Sequence, residues 1–219
     1  ATDFTSFRAA LADFSVPSQN VVYADVDGHI GYQAPGMVPI RQSVAPGQPP
    51  GFWPAPGWDP AYDWTGTVPY EQLPWSLDPT DGVIVAANQE VTAASAPFLT
   101  SEWDPGYRAT RIGELLAAGP EGGLTVADMT RIQLDTREPI APELVAALLA
   151  VDLGGDTFTE EARDLLRTWD HTTPARGTQA APAAYVNAVW RQLMQLTFAD
   201  EVPNDLVANG GGRYRAVMV

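Results

Sequence analysis

Apolar and polar positions alternate along this chain in two different rhythms. In "NVVYADVDGHIGYQAPG", residues 20–36, β-branched and aromatic residues flank Asp27-Gly28 on both sides. That dipeptide tolerates positive φ, so the pattern predicts a β-hairpin closed by a two-residue turn. A second β-favouring run, "GVIVAANQEV" from Gly82 to Val91, predicts a strand that opens after Gly82 and ends on a bare carboxamide, Asn88. Between them, Ser43 to Pro79 carries too many prolines for a central strand or a long helix and too many tryptophans for simple disorder. An ordered loop pinned by Trp53, Trp58, Trp64 and Trp75 is expected there.

Near Tyr107 the period lengthens. Ile112, Leu115 and Leu116 fall on one helical face of "YRATRIGELLAA", and Val126, Met129 and Ile132 on one face of the next helix, which opens with a Thr125/Asp128 capping box. Pro142 suits the first turn of "APELVAALLAV", and Thr157 with Glu160 offers another capping box. In the last helix Val186, Val189, Trp190, Leu193 and Leu196 line up as a core stripe. Strands first and helices later give an α+β class, divided into a strand and Pro/Trp-rich loop part, 1–106, and a mainly helical part, 107–219.

Composition removes several function classes. The 219 residues have a formal net charge of −15, and all 12 basic residues are arginine, so a nucleic-acid partner is not expected. Cysteine is absent, which excludes disulfides and thiolate catalysis. His29 and His171 stand alone, forming neither a metal cluster nor a triad, so both read as surface or hydrogen-bonded side chains. No apolar run has the ~20 residues of a membrane helix, and the first residues lack signal-peptide features.

Asn88 carries the sharpest chemistry. A carboxamide held rigidly is a poor base but a good fixed donor for an oxyanion, although it can equally cap a strand or a turn. Arg108 opens a helix, where a cation opposes the macrodipole, so it either pairs with a nearby carboxylate or serves a site. Asp25 and Asp27 read as hairpin positions, and Asp59 and Asp63 as turn residues, because neither pair has calcium-loop spacing. The tryptophans leave a competing class open, a non-enzymatic ligand- or sugar-binding module.

The ordered segments "VVYADVDGHIGYQAPGMVPIR", "DWTGTVPYEQLP", "GVIVAANQ", "YRATRIGELL", "LLRTWDHTT" and "AAYVNAVW" resemble the penicillin acylase family of N-terminal nucleophile hydrolases. The resemblance runs from about Asn20 to about Phe198. It implies a fragment of the four-layer αββα fold and a parent amidohydrolase acting on a small-molecule acyl amide of β-lactam, acyl-homoserine lactone or lipopeptide type. Asn88 would be the oxyanion-hole asparagine and Arg108 the positioning arginine. In that family autoproteolysis exposes a serine whose own α-amino group, with pKa about 8, is the base. Ala1 has no hydroxyl, so the chain is expected to be an internal piece of the large chain, inactive alone, whose partners are the rest of the large chain and the small chain. No cofactor is expected for catalysis, structural calcium is possible in the full-length protein, and family habit implies a periplasmic or secreted location.

Overall fold

The computed structural model describes residues 1–42, 54–92, 97–120, 123–201 and 203, in two compact units, 1–103 and 104–219. Trp53 and the glycine-rich C-terminal tail lie outside the described residues.

The first unit opens with a helix that hydrophobic periodicity does not announce, α1 (Phe4–Leu11). Asp3 starts it: the Asp3 carboxylate accepts from the Ser6 backbone N–H at 2.7 Å, and Ser6 Oγ accepts from the Asp3 N–H at 3.2 Å. This is a capping box with serine in place of the usual glutamate. Its single buried residue, Phe4, packs on Tyr23, with ring centroids 5.4 Å apart.

Strands β1 (Val21–Ala24) and β2 (Ile30–Gln33) pair antiparallel, with Val22 opposite Tyr32. The hairpin is as expected but its turn is not. Asp25 and His29 still pair through the Asp25 N–H, 3.1 Å from the His29 carbonyl, leaving the three-residue loop Val26-Asp27-Gly28 with Gly28 at φ +92. The Asp25 carboxylate accepts from the backbone N–H groups of Asp27 and His29, each at 3.0 Å, and those bonds favour the longer loop over a two-residue turn.

Just before the proline-rich segment, β3 (Pro39–Arg41) pairs with β4 (Trp64–Thr67) inside it, while β5 (Trp75–Leu77) joins the far edge of β2. Short edge strands are what such a proline density permits. Arg8 ties this sheet to α1. Its Nε donates to Gln33 Oε1 at 2.8 Å, its Nη2 lies 2.9 Å from Glu71, and its guanidinium stacks 4.3 Å over the Trp75 ring. Gln33 is fully buried, so this bond satisfies a polar group that would otherwise be costly to bury.

The expected strand from Gly82 to Asn88 does not form. Residues 83–86 belong to no sheet among the described residues, because β-propensity needs a ladder partner to express itself and none is supplied there.

The second unit is helical: α2 (Tyr107–Ala117), α3 (Val126–Gln133), α4 (Ala141–Ala150), α5 (Thr157–Asp164) and α6 (Ala180–Phe198). The α3 capping box forms as expected, and Pro142 sits in the first turn of α4. The α5 cap is Asp156, one residue before the expected Thr157: its carboxylate takes both the N–H and the hydroxyl of Thr159. A carboxylate competes better than a hydroxyl for these donors and also suits the helix N-terminus.

The core of this unit gathers Ala141, Leu144 and Val145 of α4, Leu166 and Trp169 after α5, and Ala183 and Val186 of α6. On α6 the fully buried position is Met194, whereas Leu196 is 74% exposed. Val126 and Met129 of α3 are exposed as well, and of that apolar face only Ile132 is partly buried.

Candidate functional site

The turn around Asn88 is built by the residue after it. The Gln89 carboxamide accepts from the Ala87 N–H at 2.7 Å and donates to the Val85 carbonyl at 2.6 Å, closing a loop from both sides. Ala87 is buried and Asn88 is exposed. Asn88 adopts φ +68, the left-handed region that asparagine enters more readily than most non-glycine residues. The carboxamide is therefore presented from a left-handed turn, not from the end of a strand.

Asn88 lines a cavity of about 330 Å³ in the first unit, shared with Ser18, Asn20, Val38, Thr100 and Trp103. Glu102 adds a carboxylate to the wall. Asn20 enters from the residue before β1, and its Oδ1 accepts from the Tyr32 hydroxyl. Tyr32 is buried, and that burial pushes its phenol up to about 12, so it remains a neutral O–H donor across the physiological range.

Arg108 lies in the second unit, in the first turn of α2, behind Gly106 at φ 96. Its Nη2 is 3.2 Å from Asp104 Oδ2, and Asp104 Oδ1 also accepts from the Gly106 N–H at 2.9 Å. The ion pair that the sequence allowed is present, with the Arg108 side chain 57% exposed. One turn on, Arg111 is held more firmly, through Nε and Nη2 to both oxygens of Asp135 at 2.9 Å each. Asn88 and Arg108 thus belong to different units, each described within its own.

The remaining candidates take structural places. His29 Nδ1 lies 2.7 Å from Asp78 Oδ2, which raises the imidazole above its ordinary value. His171 meets Trp169 edge-on at 5.4 Å, and burial lowers its pKa. Asp25 caps the hairpin loop, and Asp59 caps a short turn at Pro60–Tyr62 that ends at Asp63. Trp64 and Trp75 sit under the guanidinium groups of Arg41 and Arg8, while Trp58 is 87% exposed. Among the described residues no group of three His, Asp or Glu is placed to hold a metal ion, and no helix is long and apolar enough to cross a membrane.

Sequence reasoning passed over Asn20, Tyr32 and Gln89. A signal for Gln89 was present, since a second carboxamide beside Asn88 is the residue type that can bond the backbone on both sides of a turn. Nothing local marked Asn20, whose partner lies across the hairpin.

Comparison with known proteins places the whole chain. The family model for penicillin amidase matches residues 1–218. The chain is 39% identical over 191 residues to the penicillin acylase 2 proenzyme of Pseudomonas sp. (strain SE83), covering 87% of this chain and 23% of that protein. It is 30% identical over 202 residues to the acyl-homoserine lactone acylase QuiP of Pseudomonas aeruginosa, covering 85% of this chain and 22% of that protein. The structure of a thermostable penicillin G acylase from Alcaligenes faecalis superposes with a TM-score of 0.70 at 22% identity, over 99% of this chain and 37% of that one. The α+β class is therefore shared with part of an acylase fold, and the chain spans about a quarter of the length of these curated relatives.

Proposed function

This chain belongs to the penicillin amidase family, and on that premise we propose that the protein containing it is an acylase-type amidohydrolase in which Asn88 is the oxyanion donor. The observation that carries the reading is the family match along residues 1–218, which includes the Asn88 turn and the start of α2. The substrate is a small-molecule acyl amide. Relatives named for penicillin and for acyl-homoserine lactones bracket the class.

The nucleophilic serine comes from polypeptide outside these 219 residues, exposed by autoproteolysis, with its α-amino group as base. Serine Oγ attacks the acyl carbon, and negative charge collects on the former carbonyl oxygen. The Asn88 amide, carried on a left-handed turn whose backbone Gln89 holds, meets that charge with little reorganisation. The intermediate collapses by breaking the C–N bond, the amine leaves with a proton, and water then hydrolyses the ester. Arg108, braced by Asp104, positions groups around the nucleophile. The rest of the large chain and the small chain complete the enzyme, which works in the periplasm or outside the cell. Structural calcium belongs to the full-length protein in this reading, and no step passes through it.

The test is Asn88→Ala in the complete protein, assayed on a penicillin, an N-acyl-homoserine lactone and an acyl nitroanilide. A loss of about 10²–10³ in kcat with little change in KM is expected. Full kcat on every substrate that the unmodified protein cleaves overturns the assignment.

A further inference from the structure

We propose that Asn20 is a second ligand-binding carboxamide in the Asn88 cavity, aimed by the Tyr32 hydroxyl, and that it donates to a neutral oxygen of the bound acyl amide. This rests on the reading of Asn88 above, but its grounds are separate.

Asn20 and Asn88 line the same cavity of about 330 Å³. An unrestrained carboxamide can present either its oxygen or its nitrogen by a half-turn about its last torsion, so it is a poor recognition element. Asn20 is restrained. Its Oδ1 accepts from Tyr32, a buried hydroxyl whose backbone is fixed in the central strand β2. With the oxygen turned toward the phenol, the amide nitrogen is the group left to the cavity, and it makes no hydrogen bond to any of the described residues. Tyr32 stays protonated because burial disfavours the phenolate, so the restraint does not lapse near neutral pH.

The wall chemistry selects the acceptor. The chain carries a net charge of −15, which disfavours an anionic ligand group there. A neutral carbonyl or hydroxyl oxygen pairs with the Asn20 N–H at no such cost. Val38 and Leu99 supply apolar wall for the carbon skeleton around it. Because Asn88 is the donor to the reacting oxygen, Asn20 contacts an oxygen whose charge does not change in the reaction. It therefore acts on ground-state binding and transition-state binding alike.

The experiment measures kcat and KM for three variants of the complete protein on the substrate it cleaves fastest. Asn20→Asp preserves shape and still accepts from Tyr32 but has lost the donor. Tyr32→Phe keeps the donor and frees its orientation. We expect each to raise KM by about 2–10-fold, the range of one hydrogen bond, with kcat nearly unchanged. Asn88→Ala lowers kcat in the same assay. Wild-type KM in Asn20→Asp, with kcat lost in Asn88→Ala, overturns the Asn20 proposal alone. Full kcat in Asn88→Ala overturns the reading it rests on. A fall in kcat and melting temperature together, with KM unmoved in both Asn20→Asp and Tyr32→Phe, assigns the pair a purely structural role and also overturns the proposal.

Discussion

The Gln89 carboxamide reaches back to the Ala87 N–H at 2.7 Å, so the two residues flanking Asn88 are bonded to each other across it. Together with the 2.6 Å bond from Gln89 to the Val85 carbonyl, this holds Asn88 at φ +68. Removing both bonds with Gln89→Leu should cost about 1–3 kcal/mol locally. Exchange of the Ala87 amide hydrogen is then expected to accelerate, and kcat of the complete protein to fall with less effect on KM. Unchanged exchange at Ala87 would show that the turn is held by other contacts.

The second unit contains an ion pair strong enough to be read by pH. Asp135 receives two hydrogen bonds from Arg111, which hold its carboxyl below the usual carboxylate range, with burial acting the other way. A group whose folded pKa is depressed stabilises above its unfolded value, about 3.9, and that contribution disappears as pH falls through the folded pKa. Asp135→Asn should therefore destabilise by about 1–2 kcal/mol at pH 7. Its stability gap from wild type should close on acidification below about pH 4. Denaturant titrations at pH 7 and pH 3 make the comparison, and a gap that persists at pH 3 would exclude the ion pair as its source.

The hairpin tip offers the opposite sign. His29 is raised first by its hydrogen bond to Asp78, then by the charge of Asp78 and of Asp25. Any stability it adds is complete below the unfolded value of about 6.5 and is lost as pH rises through the higher folded value. Titration of the His29 ring protons by NMR should give a pKa above that ordinary value, and Asp78→Asn should return it toward about 6.5. The carboxamide oxygen introduced by that substitution can still accept from the Ile30 N–H, which Asp78 now receives at 3.0 Å, so the β2 end should survive the change. An unchanged His29 pKa in that variant would remove Asp78 as the cause.

How much of this was legible in the sequence depended on range. The helices of the second unit were visible because their apolar spacing and caps are local, as with Thr125 and Asp128. The hairpin was visible too, but its loop length was decided by the Asp25 side chain bonding two backbone N–H groups, which propensity alone does not rank. The supposed strand before Asn88 failed for a non-local reason: Val83, Ile84 and Val85 have the right side chains but no neighbour to pair with among the described residues. At the site, Asn88 and Arg108 stood out from their residue types and positions, but only the family resemblance gave each of them a definite role. Asn20 was not nameable at all, since what distinguishes it is Tyr32 on the facing strand.

The least legible element, α1, provides the sharpest packing test. Its one buried side chain, Phe4, lies directly against Gly31 in β2. A Cβ added at Gly31 would overlap Phe4 Cε2 outright and come within 2.7 Å of Cδ2. Gly31 does not have positive φ, so alanine meets no backbone objection there and the whole penalty is steric. Phe4 cannot retreat freely, because its ring also packs on Tyr23 and, at 6.4 Å, on Trp75. Gly31→Ala should therefore destabilise by about 1–3 kcal/mol, the usual range for overpacking. Phe4→Leu in the same chain removes the ring edge and should recover part of that loss, although Phe4→Leu alone destabilises. The signature is a non-additive double-mutant cycle in thermal unfolding. Additive losses would mean that α1 does not press on β2 in solution, and that the Asp3 capping box holds the helix without this contact.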